Sequence, residues 1–332
     1  MMIMSGDKNK PKYKPMSQPE AWFRIVRPPI VFISIFGALV GALNVTIAQG
    51  IDVNTGSLIL TILGAGLLSA GLMVHNDFTD LESDKINRPH KPIPRGIISP
   101  ETAKYTGIVL MVLSILVGFL INIFEWNNGL ANGNYLTPMG LNLPCGILTL
   151  VVVVVGIYYN KDGKYTGLTG HVLVAFGVGV IPYWGAIAVE PTDLISMLPL
   201  ALAIFVMEIG REIMVCAGDI KGDIEAGYKT TPIKMGRLNS IYFVLIFYLG
   251  FLPIYPISYF GWFGFPRIFG EIYLAGATLF AVILFITWAD TLRVTKRGND
   301  DLTWQAFERN IRTGTRVGVI FFQMILFIEA FY

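Results

Sequence analysis

Long apolar runs separated by short polar stretches dominate the chain. An α-helix needs roughly 20 mostly apolar residues to cross a bilayer. Nine runs approach that length, at 26–48, 57–75, 103–124, 141–159, 167–189, 194–215, 239–260, 269–290 and 312–331. Several carry small residues, such as Gly64, Gly66, Ala70 and Gly71 in the second, which let helices approach closely in lipid. The pattern predicts an all-α integral membrane protein with nine transmembrane helices. Residues 1–21 read as a basic, flexible tail, and residues 22–332 as the nine-helix domain. The first apolar run is too long for the core of a cleavable signal peptide.

Composition sharpens this. The chain is 54% hydrophobic and 14% charged, with a mean hydropathy of +0.60, too apolar for water alone to be its solvent. A net charge of +2 does not suggest a nucleic-acid partner. Cys145 and Cys216 match no metal-ligand spacing and read as packing residues. Basic residues are one-sided. With nine spans, 24 of the 25 Lys and Arg fall on the side of the N-terminus, and only Arg267 falls opposite. Lys and Arg favour the cytoplasmic face, which predicts a protein of the cell membrane with its N-terminus cytoplasmic and its C-terminus external.

Candidate chemistry gathers on that basic side. After the second run comes "HNDFTDLESDKINRPHKPIPRG", residues 75–96. If the helix continues outward, Asp77, Asp80 and Asp84 share one face at i, i+3 and i+7, with Asn76 four residues before Asp80. A second cluster follows the sixth run, where Asp219 and Asp223 are again four apart, preceded by Glu208, Arg211 and Glu212. Two carboxylate clusters at helix ends on one side of an apolar bundle point to hard cations. Mg²⁺ takes oxygen ligands and is commonly completed by substrate phosphates. Two facing clusters, flanked by Lys and Arg, can hold a diphosphate while the apolar spans hold a hydrocarbon tail. Phe176, Tyr183 and Trp184 could present π faces to a developing carbocation. His75 and His171 read as packed or hydrogen-bonded rather than catalytic.

"NDFTDLESD" and "DIKGD" resemble the paired aspartate motifs of the intramembrane UbiA-type prenyltransferases. "KINRPHKPIPRGIIS", "NKDGKYTGLTGHVLVAFGVG" and "RPPIVF" resemble flanking tracts of that family. The sequence departs from the family pattern at Ile30, Val31 and His171. The resemblance implies nine helices around a central cavity with a cytoplasmic cap. It implies an isoprenoid diphosphate donor that loses diphosphate with Mg²⁺, and a lipophilic acceptor that captures the allylic cation. Asn76, Asp77, Asp80 and Asp84 match the family's first metal site, and Asp219 and Asp223 its second. Arg88, Lys91, Lys161, Lys164, Arg211 and Lys229 are the candidates for phosphate contacts.

The flanking residues look most similar to the family's archaeal branch. That branch attaches a second geranylgeranyl chain to geranylgeranylglyceryl phosphate, the ether-lipid core. Branches that prenylate quinone precursors, chlorophyllide or haem share the metal motifs and remain alternatives. A multi-span transporter is the competing class. Its carboxylates belong near the bilayer midplane at broken helices, whereas these lie at helix ends on one face.

Overall fold

The computed structural model describes residues 13–52, 54–125, 141–298 and 300–331, and these fold as helices joined by short connections. The elements, in chain order, are α1 (Gln18–Val26), α2 (Pro28–Gln49), α3 (Thr55–Thr79), α4 (Leu81–Asn87), α5 (Pro100–Leu120), α6 (Leu143–Lys161), α7 (Leu168–Val189) and α8 (Leu198–Glu225). Then come α9 (Thr231–Met235), α10 (Arg237–Phe251), α11 (Ile257–Phe260), α12 (Glu271–Lys296), α13 (Asp300–Phe307), a π-helical stretch (Glu308–Gly314) and α14 (Thr315–Glu329). Among the described residues there is no β-strand.

Local chemistry sets many of the boundaries. Ser17, Asn54, Ser99 and Asn142 accept backbone N–H groups that the first turns of α1, α3, α5 and α6 leave unpaired. Arg27 separates α1 from α2 in a left-handed conformation, φ 56° and ψ 65°, followed at once by Pro28 and Pro29. A non-glycine residue in that region is strained, and at Arg27 a buried ion pair holds the side chain in place.

Among the described residues, six helices are long and apolar enough to cross a membrane: α2, α3, α5, α6, α7 and α12. The other three predicted runs also fall on helices, with physical differences. α8 is 28 residues long but carries Glu208, Arg211 and Glu212 within it. The run at 239–260 is interrupted: Pro253 and Pro256 lack the N–H that would continue α10, so it ends at Phe251. The last run is helical as α14, 15 residues long. The tail assigned to 1–21 overlaps α1, whose Ala21 and Ile25 are fully buried against Val74, Ile93 and Ile98. Residues 1–12 of that tail lie outside those described.

Two features of packing position the site. A large aromatic and aliphatic core, including Met207, Ile213, Tyr248, Tyr273, Phe280 and Phe322, joins α8, α10, α12 and α14. On the other side, α2 and α7 meet backbone to backbone. A Cβ added at Gly41 would stand 1.8 Å from the Pro182 carbonyl oxygen, and one at Gly185 would stand 1.9 Å from that of Ala38. Only glycine allows that approach. Apolar side chains such as Ile59, Val109, Val154, Ile246 and Ile286 face outward, as expected where lipid is the solvent.

Candidate active site

A cavity of about 760 Å³ opens between α2, α3, α6, α7 and α8. One end is ringed by Asn76, Asp80, Asp84, Arg88, Lys91, Asp219, Asp223 and Tyr228; the walls beyond it are mainly apolar. The two acidic motifs, far apart in the chain, therefore share one mouth.

The first motif does not continue as one unbroken helix. α3 ends at Thr79, whose hydroxyl donates to the Asn76 carbonyl at 3.0 Å; α4 starts after Asp80. The Asn76 carbonyl also accepts the Asp80 N–H at 2.9 Å. The three aspartates of the predicted face have different surroundings. Asn76, Asp80 and Asp84 line the cavity, while Asp77 is buried and pairs with Arg27 and Lys91. Lys91 Nζ lies 2.9 Å from Asp77 Oδ1 and 2.6 Å from Asp84 Oδ2, so one ammonium bridges two carboxylates. Burial raises the Asp84 pKa, with Lys91 opposing.

The motifs touch through basic and phenolic groups. Arg88 Nη2 donates to Asp219 Oδ2 at 3.2 Å, and Arg88 Nη1 lies 4.0 Å from Asp84 Oδ1. The Tyr228 hydroxyl donates to Asp80 Oδ1 at 3.1 Å. Burial first, and Asp80 second, raise the Tyr228 pKa, so that phenol stays a donor at neutral pH. Asp223 is buried one turn beyond Asp219 on α8 and also lines the cavity. Asn76 Nδ2 donates to Asn160 Oδ1 at 2.9 Å, and the Asn160 amide lies 3.0 Å from His75 Nδ1.

The predicted phosphate-contact residues divide three ways. Arg88 and Lys91 stand in the mouth. Arg211 lines the cavity two turns deeper on α8, but its guanidinium is taken by Glu208 (Nε to Oε2, 2.6 Å) and Glu212. Lys161 and Lys229 are exposed and do not line the cavity. Lys164 sits in a 3-10 turn, Gly163–Tyr165, with its side chain outside the described residues. His171 and Ile30 both line the cavity. His171 is buried, and its Nε2 has no hydrogen-bond partner among the described residues. Of the candidate aromatics, Trp184 lines the cavity, whereas the Tyr183 hydroxyl donates to the Leu194 carbonyl at 3.1 Å.

Sequence reasoning passed over Arg27, Asn160 and Tyr228. Their partners are far away in the chain, and only the Arg-Pro-Pro break hinted at Arg27.

The mouth is suited to Mg²⁺ on charge and donor type. Asp77, Asp80, Asp84, Asp219 and Asp223 outnumber Arg27, Arg88 and Lys91, and the donors on offer are oxygens. Among the described residues no three acidic or metal-ligating side chains already form a metal cluster. Arginine and lysine pair with Asp77, Asp84 and Asp219.

A cavity with apolar walls and a charged mouth, inside a bundle with six membrane-length helices among the described residues, is that of an integral-membrane protein. Residues 34–310 match the UbiA prenyltransferase family, and the chain belongs to it. It is a prenyltransferase. The chain is 32% identical over 240 residues to digeranylgeranylglyceryl phosphate synthase of Thermococcus kodakarensis, covering 71% of this chain and 78% of that one. It is 29% identical over 273 residues to the Sulfurisphaera tokodaii protein of the same name, covering 80% and 86%. A UbiA homolog from Archaeoglobus fulgidus bound to GPP and Mg²⁺ shares the fold, with TM-score 0.65 at 14% identity over 94% of this chain and 100% of that one.

Proposed function

We propose that the protein transfers a geranylgeranyl group from geranylgeranyl diphosphate to the free hydroxyl of geranylgeranylglyceryl phosphate. The observation that carries this is one apolar cavity whose mouth joins both aspartate motifs, through Arg88 to Asp219 and Tyr228 to Asp80. The names of the relatives support the choice of acceptor.

In this reading Asn76, Asp80, Asp84, Asp219 and Asp223 hold Mg²⁺, with Asp77 beside them. Mg²⁺ held there would supply positive charge against the charge that builds on the departing diphosphate. Arg88 and Lys91 exchange their carboxylate partners for diphosphate oxygens. The donor C1–O bond breaks and diphosphate keeps the electron pair. The acceptor oxygen forms the new ether bond to C1, and its proton leaves to the diphosphate or a carboxylate at the mouth. The apolar walls exclude water from the allylic cation. Lys161, Lys164 and Lys229 are the candidates to meet the acceptor phosphate.

Nine helices span the membrane in this reading, with the mouth, the acidic motifs and the N-terminus on the cytoplasmic side and the C-terminus outside. The one-sided placement of Lys and Arg supports that orientation. The test is incubation of purified protein with labelled geranylgeranyl diphosphate and a panel of acceptors, followed by product mass. A digeranylgeranylglyceryl phosphate product is expected. A prenylated aromatic or tetrapyrrole product would move the protein to another branch of the family.

A further inference from the structure

Resting on that functional reading, we propose that His75 is a positioning residue for the metal site of the first motif. Acting through Asn160, it fixes which way the Asn76 amide is turned, so that the Asn76 oxygen is presented to the cation. His75 is buried and does not line the cavity, whereas Asn76 and Asn160 both line it. The three side chains form a relay between α3 and α6. Asn76 Nδ2 donates to Asn160 Oδ1 at 2.9 Å, and Asn160 Nδ2 lies 3.0 Å from His75 Nδ1.

The direction of this relay decides what Asn76 can do. An amide has one accepting end and one donating end. With Asn160 Oδ1 taken by the Asn76 N–H, the donating end of Asn160 faces the imidazole. His75 Nδ1 must then accept, and the ring carries its proton on Nε2. Asn76 gives its N–H to Asn160 and turns its oxygen away from that contact. With the proton on Nδ1 instead, both amides would turn over. Asn160 would then donate to Asn76 Oδ1, leaving only N–H at the cavity. Mg²⁺ takes oxygen ligands, so only the first direction suits it.

Packing holds both ends of the relay. α3 and α5 meet closely at His75: a Cβ added at Gly107 would stand 2.9 Å from both the Cβ and the backbone N of His75. The imidazole also packs on Phe78, with ring centroids 5.9 Å apart. Asn160 is buried in the last turn of α6. A hydrogen bond that orients a metal ligand changes metal affinity without touching the metal.

The test is calorimetric titration of Mg²⁺ into the full-length protein in detergent, with inorganic diphosphate present. His75→Leu and Asn160→Ala should each weaken Mg²⁺ binding by about tenfold, the low end for lost hydrogen bonds to metal ligands. The double variant should lose no more than the larger single loss, because both changes cut one relay. His75→Asn, whose amide oxygen can stand where Nδ1 stood, should recover most of the affinity. Losses that multiply to about 100-fold, with no recovery in His75→Asn, would make His75 a structural residue and overturn the proposal. Unchanged affinity in His75→Leu would overturn it too. The tautomer is a second readout, made on the unaltered protein. The chain has three histidines, His75, His90 and His171, so ¹⁵N-histidine labelling resolves each ring by NMR. His75 Nδ1 should give the signal of an unprotonated nitrogen and Nε2 that of a protonated one. A proton on Nδ1 would overturn the proposal. If the unaltered protein binds no Mg²⁺ beside diphosphate, the functional reading itself fails, and the role of His75 with it.

Discussion

Arg88 Nη2 donates to Asp219 Oδ2 at 3.2 Å, linking the tract after the first acidic motif to the second motif 131 residues away. Arg88 also faces Asp84, so this one guanidinium lies between carboxylates of both motifs. Neither partner is fully buried, with side-chain exposures of 32% and 17%, so the pair contributes little to stability. Its value lies in where it holds a positive charge.

Arg88→Ala should therefore cost no more than about 1 kcal/mol of stability. It should lower kcat/KM by on the order of 100-fold, with the loss expressed on the diphosphate donor. Arg88→Lys should recover part of this, since an ammonium keeps the charge but not the planar fork. Melting curves and donor kinetics on the same preparations check this. A large drop in melting temperature with intact kinetics would make Arg88 a strut instead.

Asp77 should behave differently from Asp80, although both belong to one motif. Asp77 is buried between Arg27 and Lys91, and its removal leaves two cations facing each other. Asp77→Ala should cost roughly 3 kcal/mol, at the low end for a broken buried pair because Lys91 keeps Asp84. Asp80 is partly exposed and accepts from Tyr228, so Asp80→Ala should cost about 1 kcal/mol while abolishing most turnover. Denaturation in detergent compares the two. Equal stability losses would show that Arg27 and Lys91 find other partners.

That contrast marks where the sequence was readable. Spacing along one helix is local information, so the aspartates and the nearby Arg88 and Lys91 could be picked out from charge and period alone. The burial of Asp77 could not, because its partner Arg27 is 50 residues away. The helical runs were visible as apolar stretches, but the end of α10 at Phe251 was missed, although Pro253 and Pro256 announce it. Lys161 and Lys229 looked equivalent to Lys91 in sequence. Only the tertiary fold separates a lysine in the mouth from those on the exposed rim.

Metal dependence gives a third comparison. Chelation should abolish transfer and Mg²⁺ should restore it. Asp84→Ala, Asp219→Ala and Asp223→Ala should each weaken Mg²⁺ binding in a calorimetric titration and cut turnover by orders of magnitude. Glu82, between these residues in the chain, is exposed and paired with Lys85 at 2.6 Å in solvent, so Glu82→Ala should change turnover by less than about twofold. Burial raises the Asp84 pKa, so its proton is retained to higher pH and competes there with the metal. Mg²⁺ affinity should accordingly fall on acidification, and Asp84→Asn should flatten that dependence. A Glu82 requirement equal to that of Asp84 would contradict the geometry of the mouth.

The acceptor phosphate provides the last comparison. It must be held apart from the metal-binding carboxylates, or it would compete with the diphosphate for Mg²⁺. Arg211 is poorly placed for it, because Glu208 and Glu212 already neutralise the guanidinium. Lys161 and Lys229 are exposed and keep their charge facing water. An incoming phosphorylated lipid would meet them first, through attraction that salt screens over about 8–10 Å. Lys161→Ala or Lys229→Ala should raise the acceptor KM severalfold and leave the donor KM unchanged, as expected when ground-state binding of one substrate is lost. The effect should shrink at high ionic strength. Arg211→Ala should instead lower stability, because it strands the buried Glu208 carboxylate and the partly buried Glu212. Kinetics with the phosphorylated acceptor and its dephosphorylated alcohol decide the matter. If both acceptors turn over equally, and neither lysine affects the acceptor KM, the phosphate is not read at the rim.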